Sequence, residues 1–228
     1  MSAKTIMAEM VLTGCTLTSD HLYLYPNDCR LDDEVRAAQE IGMRFHPSRG
    51  AMSIGESKNG LPPDALVEEE PAILEDMKRV IREFHDPSPF SMIRVVLAPC
   101  SPFTVTKDLM KKAAGLAREH GVFLHTHLAE DDSDIEYSLK HFGQRPGEYI
   151  KEVGWVGSHV WHAHCCKLNQ EELELFASTG TGLSHCPSSN CRLGSGIADV
   201  VQMLRTNVKV RVLWRMCACG STSPTSSH

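Results

Sequence analysis

His125 and His127 stand two residues apart in the run VFLHTH, residues 122–127. On an extended strand that spacing puts both imidazoles on one face. Glu130 follows three residues later, past the expected end of the strand, where it can turn over whatever His127 binds. The next apolar run, HVWHAH (159–164), repeats the device with His162 and His164. The one after it, GLSHC (182–186), ends with His185 and leads through CPSSN to Asn190. A lone histidine on a strand is most often a packed or surface residue. Three consecutive runs that all end in histidine are much harder to explain that way. The chemistry they suit is metal-assisted: neutral imidazoles bind zinc well, and a nearby carboxylate can shuttle protons to and from water.

The elements that must position these residues alternate. Strand-like runs are expected at 15–20, 43–48, 93–98, 122–127, 159–164, 182–186 and 208–213. Helical stretches are expected from Asp32 to Gly42, within 63–84, from 106 to 120 before Gly121, and from 169 to 179 before Gly180. Capping residues in front and glycine behind mark the last two. Strand alternating with helix implies parallel strands joined by right-handed crossovers. A doubly wound sheet often carries GxGxxG or a P-loop, and neither occurs. Polar residues gather instead at the C-terminal ends of successive strands, where barrel enzymes keep their active sites. The expected fold is therefore α/β, a (βα)8 TIM-type barrel, incomplete, over 1–210, followed by a divergent tail at 211–228.

Bulk properties narrow the partners. A net charge of −6 over 228 residues argues against nucleic acid or an anionic membrane as the main partner. No apolar run approaches the ~18 residues that suggest a membrane span. None of the nine cysteines is separated from another by two residues, as a zinc finger or thioredoxin motif would need. Their odd number, with no signal peptide, reads as reduced thiols in a cytoplasmic protein.

HTHLAE (125–130), HAHC (162–165) and SHCPSSN (184–190) resemble the amidohydrolase superfamily, in its cytosine, guanine and triazine deaminase branch. SDHLYLYP (19–26) and SRGAMSIGESKNGLPP (48–63) resemble the subgroup of 8-oxoguanine deaminases and hydroxyatrazine and pterin aminohydrolases. The resemblance implies one divalent metal, zinc or alternatively iron, held by His127. It makes Glu130 the proton carrier between water and substrate ring, and His164 the residue that holds the attacking water or supplements the metal. His185 and Asn190 would shape the pocket floor against the substrate. His125 and His162 would lie deeper, either supporting the metal ligand or simply buried and bonded to backbone. His21 and Tyr23, after the first run, would line the pocket. Arg49, with Met52, Ser53 and Glu56, would lie on a loop over the mouth. There its planar fork would match a purine carbonyl; a plain surface arginine is the alternative. Asp131, Asp132 and Asp134 read as the capped start of a helix. The implied substrate is a small heterocycle such as an oxidised purine, and related barrels commonly pair as dimers.

Two departures from the family pattern stand out. Its first-strand HxH is not found, and no aspartate follows position 199 to match the one ending its eighth strand. A chain with so few of the expected ligands is expected to show little or no deaminase activity. An inactive barrel with an interaction role, and a hydrolase of another substrate class such as triazines, are the competing expectations.

Overall fold

The computed structural model describes residues 2–60 and 62–212. Its strands are β1 (Leu17–Leu22), β2 (Arg44–Ala51), β3 (Val96–Pro99), β4 (Phe123–Leu128), β5 (Val160–His164), β6 (Gly182–His185) and β7 (Lys209–Val212). The helices are α1 (Ser2–Leu12), α2 (Leu31–Ile41), α3 (Glu70–Phe84), α4 (Lys107–His120) and α5 (Asp132–Phe142), then α6 (Pro146–Glu152), α7 (Gln170–Thr179), α8 (Pro187–Leu193) and α9 (Val200–Arg205). The strands form one sheet in chain order, every pair parallel. Among the described residues β1 and β7 do not pair, so the curled sheet is an incomplete barrel. The boundary expected at 210 falls inside β7; residues 213–228 lie outside the described residues.

The core lies between the sheet and its helices. Leu22, Leu97, Leu124, Leu128, Val160 and Leu183 point outward from the strands into one cluster with Ile73, Met110 and Phe176 of the helices. Alternation then sends the intervening side chains to the lumen. Three helices end as the sequence implies, Gly42, Gly121 and Gly180 taking left-handed φ at the C-caps; Gly143 does the same after α5, whereas α3 ends at His85. Asn169 caps α7 by accepting from Glu172 N, and Thr106 caps α4 by accepting from Leu109 N.

Two expectations are corrected here. β2 does not stop at residue 48; it continues to Ala51 because Ser48–Ala51 pair with Val96–Pro99. A Cβ on Gly50 would sit 2.5 Å from Leu22 O and 2.6 Å from the Tyr23 Cβ, so glycine permits the close approach of β1 and β2. Arg49 is consequently a strand residue on the outer face, beside Leu22, and not part of a loop over the mouth. The second correction concerns β5. Trp161 pairs with His125, and His162 pairs with Thr126, so His162 faces the helices.

Candidate active site

Four imidazoles meet on the lumen side of β1, β4 and β5. His21 stacks on His127 with ring centroids 4.6 Å apart, and lies 4.7 Å from His125. His127 and His164 are 5.3 Å apart. The first three come from regular alternation. His164 does not: it pairs with the outward Leu128, and a φ of 68° breaks the alternation and turns its ring inward. That left-handed conformation is costly in a non-glycine residue, and Cys165 follows at 54°.

Hydrogen bonds fix the rings. His127 Nδ1 donates to Cys100 O at 2.8 Å, leaving Nε2 with its lone pair. His164 Nδ1 donates to Asn190 Oδ1 at 2.6 Å, which likewise frees Nε2. A ligand imidazole is commonly oriented by such a bond at its other nitrogen. His21 Nε2 donates to Ala98 O at 2.6 Å, and its Nδ1 is buried without a partner. Burial, reinforced by the neighbouring histidines, holds His21, His125 and His127 far below the usual imidazole range, so all three are neutral at pH 7. Burial pushes the Cys100 thiol, 3.7 Å from His127 Nδ1, up to about 12.

Glu130 lies at the mouth beside His164. Ala129 takes a positive φ of 47°, which turns the chain off β4. Glu130 Oε2 then lies 3.5 Å from His164 Nε2, and Oε1 accepts from Ser195 Oγ at 3.0 Å. Glu130 N donates to Asp134 Oδ2 at 2.8 Å. Burial pushes the Asp134 carboxyl up to about 7.

His185 ends β6 on the same rim, half-buried, with Nδ1 buried and unpartnered. Asn190, expected to contact substrate, is 1% exposed and bound to His164 instead. His21 lies within β1 at the centre of the cluster, deeper than expected. His125 stacks on Trp161 at 5.1 Å below His127. His162 packs against Phe176 and donates to Trp155 O, the buried, backbone-bonded alternative. Arg49 is 2% exposed; its guanidinium donates to Glu68, Asp76 and Gly50 O and lies over the Tyr25 ring. It braces α3 and its approach against the sheet and has its fork occupied. Of the acidic trio, Asp131 is the cap of α5, whereas Asp134 reaches back to Glu130. Asp134's further task, Cys100 and Ser195 were not legible beforehand.

The donors suit a zinc ion in kind: two neutral-type imidazole nitrogens freed by bonds at Nδ1, beside a carboxylate. In number they are part of a shell. Among the described residues no group of three histidine, cysteine, aspartate or glutamate side chains is arranged to hold a metal.

An incomplete parallel barrel with imidazoles and a carboxylate at its strand ends is the architecture of a hydrolase, and residues 1–223 match the model of the Amidohydrolase family. The chain belongs to that family. It is 42% identical over 205 residues to 8-oxoguanine deaminase of Pseudomonas aeruginosa, covering 89% of this chain and 46% of the relative. It is 36% identical over 212 residues to hydroxydechloroatrazine ethylaminohydrolase of Pseudomonas sp. (strain ADP), covering 92% and 44%. Among solved structures, atrazine chlorohydrolase from Arthrobacter aurescens TC1, complexed with zinc, superposes with a TM-score of 0.88 at 30% identity, over 92% of this chain and 47% of that one. The chain thus spans about half the length of the relatives it matches. No helix among the described residues is long and apolar enough to cross a membrane.

Proposed function

We propose that this protein hydrolytically deaminates an oxidised purine or a related N-heterocycle, with zinc as its metal. The observation that carries the reading is the arrangement of His127, His164 and Glu130: two imidazoles with Nε2 freed toward the lumen and a carboxylate oxygen 3.5 Å from one of them. His127 and His164 are the residues that would hold zinc, which when bound supplies an acidified water at neutral pH. Glu130 takes a proton from the attacking water and returns it to a ring nitrogen. The remaining hydroxyl proton passes to the exocyclic amine, which leaves as ammonia, and the ring carbon keeps the water's oxygen as a carbonyl. Similarity to an 8-oxoguanine deaminase supports an oxidised purine as substrate.

A second reading is favoured by the lack of a three-ligand cluster among the described residues. On that reading these 228 residues bind metal weakly and do not turn over. The two separate in water labelled with ¹⁸O. The chain with zinc is incubated with 8-oxoguanine, isoxanthopterin and a hydroxytriazine. Ammonia release, even slow, with one ¹⁸O entering the carbon that lost its amine, supports deamination. No ammonia from any of them at saturating zinc sides with the inactive barrel.

A further inference from the structure

One short segment after β6 reaches both groups that flank the proposed reacting centre. α8 ends at Leu193, and Gly194 takes a left-handed φ of 73° that turns the chain back. Asn190 and Ser195 on either side of this turn are buried, at 1% and 3% exposure, and Ser195 N donates to Asn190 O at 3.0 Å. Asn190 Oδ1 holds His164 at Nδ1, and Ser195 Oγ donates to Glu130 Oε1. The segment is a brace with two prongs, one for the imidazole and one for the carboxylate.

We propose that Ser195 is a positioning residue for proton transfer: it anchors Oε1 of Glu130 and so assigns Oε2, the oxygen facing His164, to take and return the proton. This rests on Glu130 being the proton carrier. The torsion that spins a glutamate carboxylate is broad and nearly two-fold, so the two oxygens exchange readily unless one is tied. Ser195 ties one. Its hydroxyl proton is committed to Oε1, leaving Oε2 free of that bond and directed at the mouth. The backbone of Glu130 is held separately, through its N–H to Asp134. Removing the Ser195 hydroxyl therefore frees the carboxylate while leaving the turn that carries it in place. Ser195 acts through Glu130, and its loss should act on the chemical step more than on substrate binding.

The test uses the full chain, with Ser195→Ala, Ser195→Thr and Glu130→Gln. With zinc and 8-oxoguanine, Ser195→Ala should lower kcat about tenfold to a hundredfold, the range for a lost hydrogen bond to a charged group, with KM within about twofold. Ser195→Thr, which keeps the hydroxyl, should recover most of it. A second readout needs no turnover: the ¹³C carboxyl resonance of Glu130, assigned by its disappearance in Glu130→Gln. Ser195→Ala should shift it, and Ser195→Thr should leave it near the original position. An unmoved resonance in Ser195→Ala overturns the proposal, as does unchanged kcat where turnover is measurable. If Glu130→Gln turns over like the unmutated chain, the proton-carrier reading has failed, and the assignment of Oε2 falls with it. If no variant turns over, the resonance alone decides whether Ser195 holds the carboxylate.

Discussion

Replacing Arg49 with methionine separates a structural arginine from a substrate-binding one. The side chain is 2% exposed and makes ion pairs to Glu68 at 2.8 Å and Asp76 at 2.6 Å. Methionine keeps much of the length and apolar stem but takes the guanidinium away from both carboxylates. Breaking a fully buried pair costs about 3–5 kcal/mol. Here the partners are each 31% exposed, and Asp76 keeps Arg79 at 2.7 Å. Solvent and that remaining partner reduce the penalty, so we expect about 2–3 kcal/mol. Urea unfolding followed by far-ultraviolet circular dichroism would report it as a midpoint lowered by about 1 M, given typical slopes of ~1–3 kcal/mol per molar. Arg49→Lys keeps the charge but loses the fork and should fall between. A loss below about 0.5 kcal/mol, the usual surface range, accompanied by a raised KM, would refute the brace and restore Arg49 to substrate contact.

Three further outcomes follow from the same geometry. His162 is fully buried, and burial lowers it to about 4. Its contribution is present above pH 6.5 and is lost as the pH falls toward 4, by about 3 kcal/mol; His162→Phe should remove that share of the fall in the urea midpoint between pH 7.5 and 4.5, the other buried histidines keeping theirs, and an unchanged slope would contradict this. Asp134 is raised to about 7, so its contribution is present below about pH 4 and lost as the pH rises through 7. Asp134→Asn, which retains an acceptor for Glu130 N, should therefore stabilise the chain more at pH 8 than at pH 4 by about 2–4 kcal/mol; equal effects at both would exclude the burial account. His127→Ala should weaken zinc binding by about tenfold or more in equilibrium dialysis, and undiminished affinity would remove it from the metal shell.

The pattern of residues made the parallel architecture readable because strands and helices alternate and glycine follows three of the helices that were expected, α2, α4 and α7. His125 and His127 obey the two-residue period, and their shared face was legible. His162 and His164 have the same spacing, yet a left-handed φ at His164 places their rings on opposite sides of the sheet. Nothing in HVWHAH announces that torsion. Arg49 was misplaced because the expected strand stopped at residue 48, whereas pairing with β3 carries it on to Ala51. Two of the short helices missed, α6 and α8, begin at Pro146 and Pro187, and proline at a first helical position was the available signal. Ser195 carries no periodic signature; its contact depends on the turn at Gly194, which the sequence marks only as a glycine.

The central claim is that Glu130 carries the proton in a zinc-dependent deamination at this mouth. Ammonia release from 8-oxoguanine should be compared between the chain and Glu130→Gln at equal zinc content. Glutamine keeps the shape but cannot accept and return a proton. The account predicts a loss of about 10²–10⁴-fold with zinc binding unchanged. Release within about threefold of the unmutated rate, far short of the loss expected for a missing acid–base group, would contradict it.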